Sequence, residues 1–198
     1  MKGNNVGKGI LEIIASVLFI ISGVLYIKSL LNGKETYKVT WIIWAGLDVL
    51  GFVSMFIAKS WNLVNLAAVM TSFAIAFIAY KYGQKGWSTE DKICFVMAIL
   101  GILLWGFSTD PLFGIISSQF AMLVAFYPMG VHNLHTPEED PIAWLINWFS
   151  CLFLWASVDT FTWEAALQPA VFVIITSFMF FALWRDKLPT AKKNEVLV

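Results

Sequence analysis

Charge is what this chain has least of. Only 13% of its 198 residues are Asp, Glu, Lys or Arg, against roughly a quarter in a soluble domain. Hydrophobic residues make up 59%, and the mean hydropathy is +0.76, so an ordinary water-soluble globule is excluded. Cysteine is scarce as well. Cys94 and Cys151 both fall inside apolar runs, where a thiol acts as a small apolar side chain, and no disulfide framework is implied. Alternation of apolar and polar residues, the mark of a transmembrane barrel, is missing from runs such as Cys94-Phe95-Val96-Met97-Ala98-Ile99-Leu100. There is no nucleophile motif, Gly-rich phosphate loop or zinc signature, so no enzyme activity, cofactor, metal or nucleic-acid partner is expected. The last apolar run has no lysine for a retinal Schiff base, which argues against rhodopsin-type photochemistry.

What is present is a series of seven apolar blocks at 9–27, 39–58, 63–80, 93–107, 112–131, 142–158 and 165–184. Most approach the ~20 residues that a helix needs to cross a bilayer, and the fourth is the shortest. Lys2 and Lys8 before the first block imitate a signal peptide, but Glu12 lies inside it and no small-residue cleavage site follows. Asp110-Pro111 and Asp140-Pro141 each set an N-cap acceptor before a proline at the first helical position. Ser88-Thr89-Glu90-Asp91 is a capping run for the fourth helix.

Seven crossings would put Lys2, Lys8 and Lys59 on one side. Lys28, Lys34, Lys38, Lys81, Lys85, Lys92, Arg185, Lys187, Lys192 and Lys193 would lie on the other. By the positive-inside rule the richer side is cytoplasmic. The expectation is a multi-pass plasma-membrane protein with its N-terminus outside and its C-terminus in the cytoplasm.

Internal similarity organises these spans. Tyr26, the loop with Lys34 and Thr36, and Thr40-Trp41 are paralleled by Tyr127, the loop with Thr136, and Ala143-Trp144; tyrosine to tryptophan is 15 positions in one and 17 in the other. Thr71-Ser72-Phe73 and Thr176-Ser177-Phe178 then follow the tryptophans by 30 and 32 positions. Three landmarks in one order predict two three-helix repeats, 1–84 and 111–187, joined by a linker helix in 85–110 and followed by a tail, 188–198. An odd linker makes the repeats parallel, related by an axis along the membrane normal, with a path between them.

On Tyr127-Pro128, the loop with Thr136, Ala143-Trp144 and the fainter copy at Tyr26, Lys34, Thr36 and Thr40-Trp41, the chain resembles the SWEET and PQ-loop transporters. That resemblance implies a three-plus-one-plus-three fold and solute transport. The proline-glutamine pair that names the family is absent, since Met129 follows Pro128 and Ile27 stands at the matching place in the first repeat.

Asp48 lies mid-span and is read either as a substrate acceptor or proton site, or as a structural helix fastener. Asn147 offers a donor and an acceptor to a solute, or an interhelical hydrogen bond. Trp44 and Trp148 lie deep enough to be pocket walls, whereas Trp41 and Trp144, at helix starts, read as members of the interfacial aromatic belt. Thr71, Thr176 and Ser177 supply hydroxyls at mid-depth, for a polar path or for packing. Pro128 is a candidate flexure and Glu12 a candidate outer gate, with an interfacial carboxylate as the alternative. His132, His135, Glu138, Glu139 and Asp140 read as a solvated cytoplasmic loop, with a metal site as the lesser alternative.

The expected function is transport or facilitation of a small polar solute, sugar-like or similar, with the bilayer and that solute as partners and a homo-oligomer left open. The alternative is an accessory membrane subunit or an intramembrane enzyme.

Overall fold

A computed structural model describes residues 4–82, 89–108, 110–158 and 161–185. Within these the chain is helical: α1 (Asn4–Leu31), α2 (Lys38–Ile57), α3 (Leu63–Tyr82), α4 (Thr89–Ser108), α5 (Pro111–His135), α6 (Pro141–Ser157) and α7 (Trp163–Trp184). Every expected span lies on one of them to within a residue, and α1, α4 and α5 run a turn or more longer than expected. The boundary at 84/85, Ser88, Lys2 and the tail 188–198 lie outside the described residues.

Among the described residues five helices, α1, α2, α3, α5 and α7, are long and apolar enough to cross a membrane. The 17-residue α6 is apolar but shorter. Outward faces carry large apolar side chains at helical spacing, such as Leu66, Met70, Phe73, Phe77 and Tyr80 on α3 and Phe113, Ile116 and Phe120 on α5. On a soluble protein such a surface would drive association; against lipid it is at rest.

Local signals fix the helix starts. Asp110 Oδ1 accepts from the Leu112 amide at 2.9 Å, and Asp140 Oδ1 accepts from Ile142 and Ala143 at 2.9 and 3.0 Å. Thr162 caps α7 through the Ala165 amide, a cap the sequence reading did not single out.

Six helices close a ring in the order α1, α3, α2, α5, α7, α6, each packed on the next, and α4 lies outside it against α5 and α2. Ring neighbours are stitched by polar bonds in the apolar interior. Ser150 Oγ donates to the Ala15 carbonyl at 2.7 Å, Thr40 Oγ1 to Ala125 at 3.1 Å and Trp44 Nε1 to Met122 at 3.2 Å. Close approach of α1 to α3 depends on Gly23, where a Cβ would stand 2.9 Å from Thr71 Cγ2.

Loops gather at two ends. The α1–α2 and α5–α6 loops meet through Lys34 and Asp140, 3.4 Å apart. At the opposite end, Ala58–Ser60, Asp110–Leu112 and Thr162–Ala165 surround one depression.

Candidate functional site

All six ring helices contribute to a central cavity of about 60 Å³. Asp48, Asn147, Trp44, Thr71 and Thr176, expected around a solute path, all line it. Asp48 sits in the middle of the 20-residue α2. It is only 8% exposed, and its Oδ1 has no hydrogen-bond partner. Thr71, Ser72 and Thr176 bond back to the carbonyls of Ala67, Ala68 and Phe172, each at 2.7 Å, as hydroxyls in apolar helices do.

Trp148 and Ser177 do not line the cavity. The Trp148 indole donates to Ser177 Oγ at 2.9 Å and stacks on Phe180, so the pair joins α6 to α7 on another face. Trp41 and Trp144 depart from the interfacial reading in the opposite sense. Both are buried, Trp144 at 3% exposure, and both line the cavity. Indoles that do lie exposed near helix ends are Trp61, Trp155 and Trp163. Tyr127 is 60% exposed whereas Tyr26 is buried, so of the three landmark pairs the tryptophans and threonines share an environment and the tyrosines do not.

Glu12 accepts from the Leu63 amide at 2.6 Å, which ties α1 to the start of α3 and caps it, a contact worth about 1 kcal/mol. Pro128 lies within α5, half-buried and away from the cavity lining.

The acidic loop divides into three roles. Asn133, buried at the end of α5, accepts from the amides of Glu138 and Glu139 at 3.2 Å and folds the loop back on itself. Glu138 then faces outward to His132 Nε2 at 3.1 Å, and Asp140 caps α6. Burial works against the Asp140 carboxylate, but the amides of Ala143 and Ile142 and the charge of Lys34 outweigh it and lower its pKa.

Glu139, expected to be solvated, is 4% exposed. It accepts from the Tyr26 hydroxyl and, at 2.8 Å, from Thr36 Oγ1. The Trp41 indole donates to the same two hydroxyls at 3.0 and 3.1 Å. Trp144 Nε1 is turned toward this carboxylate without closing a hydrogen bond. Burial raises the Glu139 pKa to about 7, against the pull of the Tyr26 and Thr36 hydrogen bonds. Tyr26, Thr36 and Trp41 were visible in the sequence as repeat landmarks. Glu139 was hidden by its charged neighbours.

At the other end of the ring, Asn65 Nδ2 donates to Gln168 Oε1, both buried, joining α3 to α7. Asn65 lies six residues before Thr71, or ~9 Å along the helix. The cavity is thus bracketed by a polar contact on either side, each linking α1–α3 to α5–α7. Its contents suit non-covalent binding: a carboxylate, an amide, hydroxyls and ring faces. Among the described residues no group of three His, Cys, Asp or Glu side chains is placed to hold a metal. No family model matches the chain, nor does any curated protein or solved structure.

Proposed function

We propose that this chain is a seven-span transporter or facilitator of a small polar solute in the plasma membrane, with its N-terminus outside and Lys34, Lys38 and Lys81 on the cytoplasmic side. Helices α1–α3 and α5–α7 are its two parallel repeats, α4 is the linker, and the solute passes between the repeats as in the SWEET and PQ-loop arrangement it resembles. The observation that carries this reading is the cavity, to which all six ring helices contribute and which, among the described residues, α4 does not line.

Two further features support it. Across the ring, the first helix of each triplet packs on the second helix of the other, α1 on α6 and α2 on α5, as a two-fold axis along the membrane normal requires. The polar contacts at Glu139 and at Asn65 close the cavity toward each end, the form of an occluded carrier. At 17 residues α6 reaches only ~25 Å, a shortfall that a bilayer meets by local thinning. An accessory subunit would turn polar groups to lipid and keep a dry interior, whereas Asp48, Asn65, Gln119 and Gln168 are buried inside the bundle.

The test is solute uptake by sealed proteoliposomes over a panel of small polyols, sugars and amines. The chain should accelerate entry of at least one solute over protein-free vesicles, and Asp48→Asn should slow that entry about tenfold, the factor for ~1.4 kcal/mol. Equal flux with and without protein for every solute would end the transport reading. An unchanged flux in the variant would remove Asp48 from it.

A further inference from the structure

We infer that the solute held in the central cavity is a small organic cation, a primary ammonium of about two or three heavy atoms, recognised by Asp48 and an aromatic box. The inference rests on the reading of this cavity as a solute site and narrows the class of solute.

Size comes first. An apolar cavity of roughly 150 Å³ binds benzene, with six heavy atoms. At about 60 Å³, less than half of that, this one suits methylammonium or an ammonium of similar size and is small for tetramethylammonium or a hexose.

Chemistry points the same way. Among the described residues the lining holds one carboxylate, Asp48, and no Lys, Arg or His. A carboxylate taken out of water without a countercharge is unfavourable, and a bound cation supplies that charge. Its Oδ1 is buried and unpartnered, so an acceptor is vacant.

Donors around it are largely committed. Thr71, Ser72 and Thr176 are bonded to their own helices. The Trp44 N–H is held by the Met122 carbonyl, and the Trp41 N–H by Tyr26 and Thr36. A neutral polyol needs many donors and acceptors at once. An ammonium needs one anion and π faces.

Those faces are arranged on several walls. Trp41 and Trp44 meet at 78°, Trp44 and Trp144 at 70°, and Tyr26 and Trp144 at 88°. Rings set this steeply to one another present faces in more than one direction, the geometry in which indoles bind quaternary ammonium groups. Asn147 adds a neutral amide to the lining and no charge.

The experiment titrates the full chain in nanodiscs with methylammonium chloride, its neutral isostere methanol and the larger tetramethylammonium chloride at constant ionic strength, reading tryptophan fluorescence. A saturable response to methylammonium, weaker for tetramethylammonium, retained in Asp48→Glu and at least tenfold weaker in Asp48→Asn, is expected. Trp144→Leu, which removes a ring face and keeps the charge, should also weaken binding about tenfold and serves if Asp48→Asn does not fold. Methanol binding as tightly as methylammonium, or a methylammonium affinity unchanged in folded Asp48→Asn or Trp144→Leu, would overturn the assignment. Binding without vesicle uptake would leave the box standing and remove transport. Uptake of neutral solutes without cation binding would do the reverse.

Discussion

Bridging positions 65 and 168 is expected to stop solute flux completely, and cleaving the bridge to restore it. Asn65 and Gln168 hydrogen-bond across the bundle from α3 to α7. If that end of the cavity opens when α3 and α7 part, a covalent tether between them holds it shut. The variant Asn65→Cys with Gln168→Cys, treated with a short bifunctional thiosulfonate, provides the tether, and a reductant removes it. A longer reagent is preferable to a direct disulfide, which tolerates Cα separations of only about 4.4–6.8 Å. Each single cysteine variant, treated alike, should keep its flux. Undiminished flux in fully bridged protein would show that the two helices need not separate.

Thermal stability should fall as pH rises from about 4.5 to about 7, and Glu139→Gln should flatten that slope. The buried Glu139 carboxyl titrates near 7 in the folded chain against an ordinary value of 4.5. Between these values the native state binds more protons than the unfolded state, so stability decreases with rising pH. A shift of this size corresponds to about 3 kcal/mol over the window. Asp140, whose pKa is lowered from 3.8, contributes stability that is lost only at more acidic pH, below the window. Melting of both proteins from pH 4 to 8 measures the difference, and an equal slope in Glu139→Gln would contradict the role of Glu139.

Helix number and extent were legible because apolar block length and the Asp-Pro caps are local signals. Asp48, Asn147, Trp44, Thr71 and Thr176 were found by depth within a span, since mid-span polar or amphipathic groups turn inward. Depth alone does not give azimuth. On α6 the cavity faces Ala143, Trp144 and Asn147, and at ~100° per residue Trp148 is carried past that face to meet Ser177. Ser177 is displaced from Thr176 by the same angle. Trp41 and Trp144 misled because position near a helix start usually means the interface, whereas here the buried acidic loop lies over both. Glu139 was unreadable for a related reason. Whether an acid in the run Glu138-Glu139-Asp140 points inward depends on Asn133 holding two loop amides, a tertiary event with no local pattern.

The claim that a solute passes between the two triplets is tested most directly by thiol accessibility in sealed vesicles. In a background with Cys94→Ala and Cys151→Ala, Thr176→Cys should react with a membrane-impermeant thiol reagent added to either face. Ser177→Cys, one residue on but turned toward Trp148, should react with neither. Labelling of Thr176→Cys from one face only, or equal labelling of the two positions, would contradict a pathway through this cavity.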